Sequence, residues 1–241
     1  MRVLNKKLIL LACPSAISTI VFLWVAFYGP QTLFYLEYRP RVRHPELFLS
    51  RGLDAVPQPL TEINASTVEG TTLSYFGYHF EVPYKGIAHK QESVEDVQIR
   101  FDSGQAVRLL NPEASYFHNV FVGDEGSKYE QFKAVMSATP AQLSPFQPRG
   151  EFERILALVD QKGRWFEHNV AAPDIFYFAT SNLRGFETSG ISRKWQDVGL
   201  TIFDAGDRMF VIRVSGDDRA GVKLFQAEIN RIIRTFEAAG P

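Results

Sequence analysis

Residues Leu8 to Gly29 form one uncharged, predominantly apolar run of 22 residues, preceded by Arg2, Lys6 and Lys7. Wound as a helix at ~1.5 Å per residue it reaches ~33 Å, enough to cross a ~30 Å hydrocarbon core. The pattern predicts a single-span anchor followed by about 210 residues of ordinary globular composition. Two other readings compete. A cleaved signal peptide has an apolar core of ~7–15 residues and a small-x-small exit. Here Trp24-Val25-Ala26-Phe27-Tyr28-Gly29 puts bulky side chains at the exit. Leu10-Leu11-Ala12-Cys13 looks like a lipobox, yet only five residues separate Lys7 from Cys13 and the apolar run continues well past it. An uncleaved anchor fits better than either. In that setting Cys13 reads as a small apolar residue rather than a reactive thiol.

The basic flank Arg2, Lys6 and Lys7 is closer to the span than Arg39, Arg41 and Arg43, which favours a cytoplasmic amino end and a domain outside the cytoplasm. Tyr28, Phe34, Tyr35 and Tyr38 suit a membrane interface, where an apolar ring body and a polar tip are both accommodated. The single cysteine lies inside the apolar run, so the aqueous part tolerates an oxidising compartment without requiring one.

Three of the 26 Lys and Arg precede the span, which leaves 23 against 27 Asp and Glu, a formal charge of −4 for the aqueous part. Such a balance, with scattered cations, supplies no field to recruit nucleic acid. Arg39-Pro40-Arg41-Val42-Arg43-His44 reads as a solvated flank, with contact to anionic headgroups as the functional alternative. The organisation expected is an anchor over residues 1–30, a tether over 31–70 and one globular domain over 71–241. Pro40, Pro45, Pro57 and Pro59 favour extended backbone in the tether, with room for a short helix at Glu46–Val56. Asn64-Ala65-Ser66 is a glycosylation sequon only in a host that uses one.

Beyond Gly70 the patterning becomes regular. Thr72–Pro83 alternates bulky and polar residues around Gly77, as in a strand or hairpin. Val97–Phe101 and Gln105–Leu110 flank Asp102-Ser103-Gly104, a hairpin turn in which the glycine takes positive φ. Ser127 and Glu130 have capping-box spacing ahead of a helical face of Tyr129, Phe132 and Met136. A second helix is expected over Glu151–Lys162, its Phe152, Ile155, Leu156 and Val159 on one face and Lys162 complementing the dipole late. Strand pairs follow at Ile175–Ser181 with Gly185–Ile191, and at Val198–Phe203 with Arg208–Val214. A closing helix over Asp218–Ala238 carries Val222, Phe225, Ile229, Ile232, Ile233 and Phe236 as its stripe. Sequential hairpins with helices inserted and appended give an α+β class: a mainly antiparallel sheet covered by helices in an α-β-α arrangement.

Two short segments carry a family resemblance: Tyr78-His79-Phe80-Glu81-Val82-Pro83 and Ile232-Ile233-Arg234-Thr235-Phe236. With the element order, they resemble the Mog1/PsbP-like fold group over about Leu73 to Glu237. That group includes a photosystem accessory subunit, a nuclear factor that binds a small GTPase, and bacterial envelope lipoproteins. The resemblance implies a binding or assembly role, usually without catalysis. Tyr84-Lys85-Gly86 departs from the Gly-Trp-like pair of many members. The matching positions are structural, so no site residue is carried over.

Motif chemistry is sparse. His44, His79, His89, His118 and His168 are too far apart for a local metal pair, and no second cysteine could complete a zinc set. His79 fits one face of a strand. The site candidates are His118, in the aromatic stretch Tyr116-Phe117-His118-Asn119; His168, just after a helix; and the acidic pair Asp124-Glu125. Packing and helix starts are the simpler account of each, as of Asp217-Asp218. No Walker loop, nucleophile elbow, calcium loop or dinucleotide glycine pattern occurs, and no cofactor or metal is implied. The expected role is therefore a non-catalytic, membrane-anchored binding module with the bilayer and an envelope protein as partners. A carrier of a small apolar ligand and an enzyme with an unrecognised site are the alternatives.

Overall fold

Alternation of apolar and polar side chains builds the sheets. In the strand Asp96–Phe101, Val97, Ile99 and Phe101 are buried while Gln98 and Arg100 face outward. The computed structural model describes residues 17–29, 31–33, 36, 53–60, 67–111, 126–166, 174–191, 196–216 and 221–238. In chain order the strands are β1 (Gln58–Pro59), β2 (Thr71–Tyr75), β3 (Tyr78–Val82), β4 (Ile87–Glu92), β5 (Asp96–Phe101) and β6 (Ala106–Leu110). Helices α1 (Lys128–Ser137) and α2 (Arg149–Phe166) follow, separated by a short 3-10 turn at Pro140–Gln142. Then come β7 (Asp174–Ala179), β8 (Leu183–Ile191), β9 (Gln196–Asp204), β10 (Met209–Ser215), α3 (Gln226–Thr235) and β11 (Glu237–Ala238).

Eight strands form one sheet in the order β1-β7-β8-β9-β10-β6-β5-β4, antiparallel except for the parallel β1–β7 pair. A three-stranded antiparallel sheet, β11-β3-β2, stands apart from it. The helices after β6 carry the chain to the far edge, and the β7–β10 meander returns to set β10 beside β6. On one face, Phe210, Ile212 and Val214 meet Ile229, Ile232 and Ile233 of α3 and Leu73, Tyr78 and Phe80 of the small sheet. On the other, Phe186, Phe203 and Val211 pack under Phe132 of α1 and Trp165 and Phe166 of α2. The class is α+β on a large, mainly antiparallel sheet, as the patterning predicts.

Several elements depart from expectation. The Ser127–Glu130 capping box does not form. Asp207, from the β9–β10 turn, instead accepts hydrogen bonds from the Ser127 hydroxyl at 2.8 Å, the Tyr129 backbone N–H at 3.2 Å and the Lys128 backbone N–H. The second helix runs longer, to Phe166, and Lys162 is fully buried rather than placed at a solvated helix end. The closing helix begins only at Gln226. Phe225 is 61% exposed and Phe236, though buried, follows the last turn, so the stripe reduces to Ile229, Ile232 and Ile233. Glu228 reaches back to the Phe225 N–H at 3.1 Å and supplies the start signal. In the β5–β6 hairpin Gly104 does take φ +92°.

Within the apolar run, residues 17–29 are helical, ~20 Å of rise, and residues 8–16 lie outside the described ones. Among the described residues no helix is long and apolar enough to cross a membrane. Part of the segment expected to be a tether docks on the domain. Leu53, Ala55 and Leu60 pack against the cores, and the Leu60 N–H donates to the Tyr177 carbonyl at 2.9 Å.

Candidate functional site

The four site residues that the sequence nominates, His118, Asp124, Glu125 and His168, lie outside the described residues, as do His44, Cys13, Asp217 and Asp218. His79 is exposed on β3, its Nδ1 2.6 Å from the Ser74 hydroxyl, and His89 is exposed on β4. Among the described residues no three His, Cys, Asp or Glu side chains come together as metal ligands.

The structure brings together a different set. Beyond Trp165, at the end of α2, the helix-bearing face of the sheet carries a cleft of about 220 Å³. Its floor follows from register. Thr188 pairs with Gly199, Gly199 with Arg213, Arg213 with Arg108 and Arg108 with Gln98. This row crosses β8, β9, β10, β6 and β5, and all five residues line the cleft. Alternation explains the placement. Val107 and Leu109 on β6, and Ile212 and Val214 on β10, point into the α3-side core, which turns Arg108 and Arg213 to the opposite face.

Two carboxylates flank the arginines. Asp96 accepts from Arg108 Nε at 2.5 Å, the Ser93 hydroxyl at 2.7 Å and the Gln98 amide at 3.0 Å. Foremost the Ser93 bond, then those from Gln98 and Arg108, outweigh partial burial and hold its carboxyl below the ordinary range. Asp197, on β9 at the mouth, is exposed by area. Crowding by protein atoms nevertheless raises its carboxyl, and the Arg213 charge opposes that rise. Thr188 and the buried Thr201 add hydroxyls. Gly199 keeps the floor open, since a Cβ there would stand 2.8 Å from Thr188 Oγ1.

Lys162 and Glu187 are fully buried elsewhere in the domain. Lys162 Nζ donates to the carbonyls of Leu53 at 3.1 Å, Ala55 at 2.5 Å and Ala138 at 2.9 Å. Burial pushes its amine down to about 8, against a smaller upward pull from Asp54. Glu187, under α3, accepts from the Gln226 amide at 2.8 Å through Oε2. Burial raises its carboxyl above the usual value, and the Gln226 bond only partly offsets this.

The cleft carries guanidinium, hydroxyl and carboxylate groups on rigid strands, chemistry suited to holding a polar ligand. Sequence reasoning missed it because each arginine alone reads as the solvated face of a strand, and only the β6–β10 pairing sets them side by side. No family model, no curated protein and no solved structure matches the chain.

Proposed function

We propose that the protein is a non-catalytic binding or assembly module, tied to a membrane by its N-terminal apolar segment and folded outside the cytoplasm. The observation that carries the membrane part is the bare helix at residues 17–29. Ile20, Phe22 and Phe27 are each more than 60% exposed, within an uncharged run that continues back to Leu8. Apolar surface of that extent is unfavourable in water and favourable in lipid. The binding part is supported by the sheet cleft, into which Arg108, Arg213, Asp197 and Thr188 bring charged and hydroxyl groups. The layering of helices on both faces of an antiparallel sheet supports kinship with the Mog1/PsbP-like group, whose members bind or assemble.

Carbonate extraction and protease protection in intact spheroplasts of a bacterial host test the anchor and its orientation. The expected result is a chain that stays with the membrane and a C-terminal domain that is digested from outside. Release by carbonate would refute the anchor, and protection of the domain would reverse the orientation. Crosslinking in native membranes followed by mass spectrometry tests the module itself, with repeatable capture of a membrane or envelope protein expected. Repeatable absence of capture would count against a binding role.

A further inference from the structure

We propose that the sheet cleft is an oxyanion site, in which Arg108 and Arg213 together grip a carboxylate or phosphate group. This rests on the reading of the chain as a binding module and names the chemistry of its site. The two arginines are directly opposed on adjacent antiparallel strands, β6 and β10. Residues so paired have Cβ atoms only ~4.5–5.5 Å apart, and like charges there oppose the pairing. An anion between them turns that repulsion into two attractions.

The surroundings point the same way. Asp96 engages Arg108 through Nε, and among the described residues the two Nη groups of Arg108 have no partner. Asp96 is itself bound by Ser93 and Gln98, so it fixes the guanidinium without consuming its outer donors. A guanidinium held at Nε presents a planar fork matched to two oxygens of a carboxylate or phosphate. Asp197, on β9, lies near enough to Arg213 for that charge to pull its carboxyl down against burial. The two bases thus stand side by side on the central strands β6 and β10, with one acid on each neighbouring strand, β5 and β9. Thr188 supplies a hydroxyl beside it, and Gly199 leaves the space clear of a side chain. At about 220 Å³ the cleft is smaller than the ~300–1,000 Å³ of drug-sized ligand sites. It suits a small acid, or the acidic end of something larger.

The test is the thermal midpoint of the full-length chain in detergent, titrated with sodium phosphate or sodium acetate against sodium chloride at matched ionic strength. Specific occupancy raises the midpoint by about 3–6 °C at ten times the dissociation constant. Phosphate also stabilises proteins without binding, by exclusion from their surface, so the variants decide. Arg213→Gln is expected to abolish the anion-specific rise. Arg108→Gln repeats the test should the first variant fold poorly. Arg234→Gln, an exposed cation at the end of α3, is expected to keep the rise in full. A response to acetate alone identifies a carboxylate ligand, and one to phosphate identifies a phosphoryl ligand. No rise beyond chloride in the parent chain, or an equal rise in Arg213→Gln, would overturn the site. Either result would leave the binding role intact, because that role is judged by capture in the membrane.

Discussion

The Asp207 carboxylate accepts a hydrogen bond from the Ser127 hydroxyl at 2.8 Å, joining the β9–β10 turn to the start of α1 across 80 residues of sequence. Arg184 closes the cluster. Its Nη2 donates to both Ser127 Oγ and Asp207 Oδ1 at 3.1 Å, and its guanidinium lies 4.3 Å from the centre of the Tyr129 ring. Asp207 adopts φ +59°, a conformation that aspartate and asparagine tolerate better than most residues. Asp207→Ala should cost about 1–2 kcal/mol, the range for losing a helix cap. Urea unfolding of the two chains measures it. Partial burial opposes ionisation of Asp207, but its bonds to Ser127, Tyr129, Lys128 and Arg184 prevail and lower its carboxyl. Its contribution is therefore complete above the ordinary aspartate value of ~3.9 and lost as pH falls through the lowered one. The difference between Asp207→Ala and the parent should vanish in strong acid.

Lys162 gives the opposite end of the pH scale its shape. Its folded value of about 8 lies below the ordinary 10.5, so between these two the unfolded chain binds more protons. Stability should rise across that window, by at most about 3 kcal/mol. Above pH 10 the trend should reverse. Tyr78, raised to about 12 by burial and then by Asp204, contributes fully below the ordinary tyrosine value and loses that contribution as pH approaches 12. A maximum near pH 10 in urea midpoints is expected, and a monotonic fall from pH 8 would contradict it.

Replacing that lysine tests its bonds rather than its charge. Lys162→Met keeps the length of the stem but strands the carbonyls of Leu53, Ala55 and Ala138. A buried carbonyl left unpaired costs ~1–3 kcal/mol, as at Ala138, and the half-buried carbonyls of Leu53 and Ala55 cost less, so with relief of a buried ammonium a net loss of about 1–3 kcal/mol is expected. Amide exchange should accelerate first over residues 53–60. Uniform acceleration across the whole domain would show that the lysine does not hold that segment specifically.

Phe236 and Phe225, both assigned by pattern to one helical stripe, should behave in opposite ways. Phe236 is buried against Tyr78, Phe80 and Phe210, with ring centres 4.9, 5.7 and 5.3 Å away. Phe236→Ala should cost about 3–5 kcal/mol. Phe225 is exposed, and Phe225→Ala should change stability by less than about 0.5 kcal/mol. Thermal melts of the full-length chain separate the two.

Glu187→Gln should be neutral or stabilising at pH 7. Burial raises this carboxyl, so its native form is favoured at low pH and loses ground as pH rises through the raised value. Glutamine keeps an acceptor for the Gln226 amide without the charge. The advantage over the parent should shrink as pH approaches 4, and a midpoint lowered equally at both pH values would refute this account.

Strands with one buried face were legible because their apolar residues alternate, as in β5 and β6. β4 was not, since all six of its residues are exposed and its sequence, Ile87 to Glu92, carries no face to read. Helix starts failed for a related reason. Asp207 caps α1 from another element, and no local spacing announces that. The end of the chain misled through coincidence: Val222 and Phe225 fall in phase with Ile229 without being helical. The cleft was hidden most deeply. Its residues come from five strands whose pairing depends on where the α1–α2 insertion returns the chain, and an arginine on a strand carries no mark of its neighbour.

Docking of residues 53–60 sets how far the domain can stand from a bilayer. A free segment over residues 31–70 could pay out at most about 140 Å when fully extended, at ~3.3–3.6 Å per residue. With Leu53 and Ala55 held by Lys162 and β1 paired to β7, the 20 residue steps from Leu33, the end of a helical stretch, to Leu53 can reach no further than about 70 Å. A chain anchored as proposed would therefore search a shallow zone above the membrane, and anything it met there would itself have to lie near the surface. Tension along that stretch would fall first on the carbonyls of Leu53 and Ala55 and the one ammonium that holds them, ahead of any strand of the core.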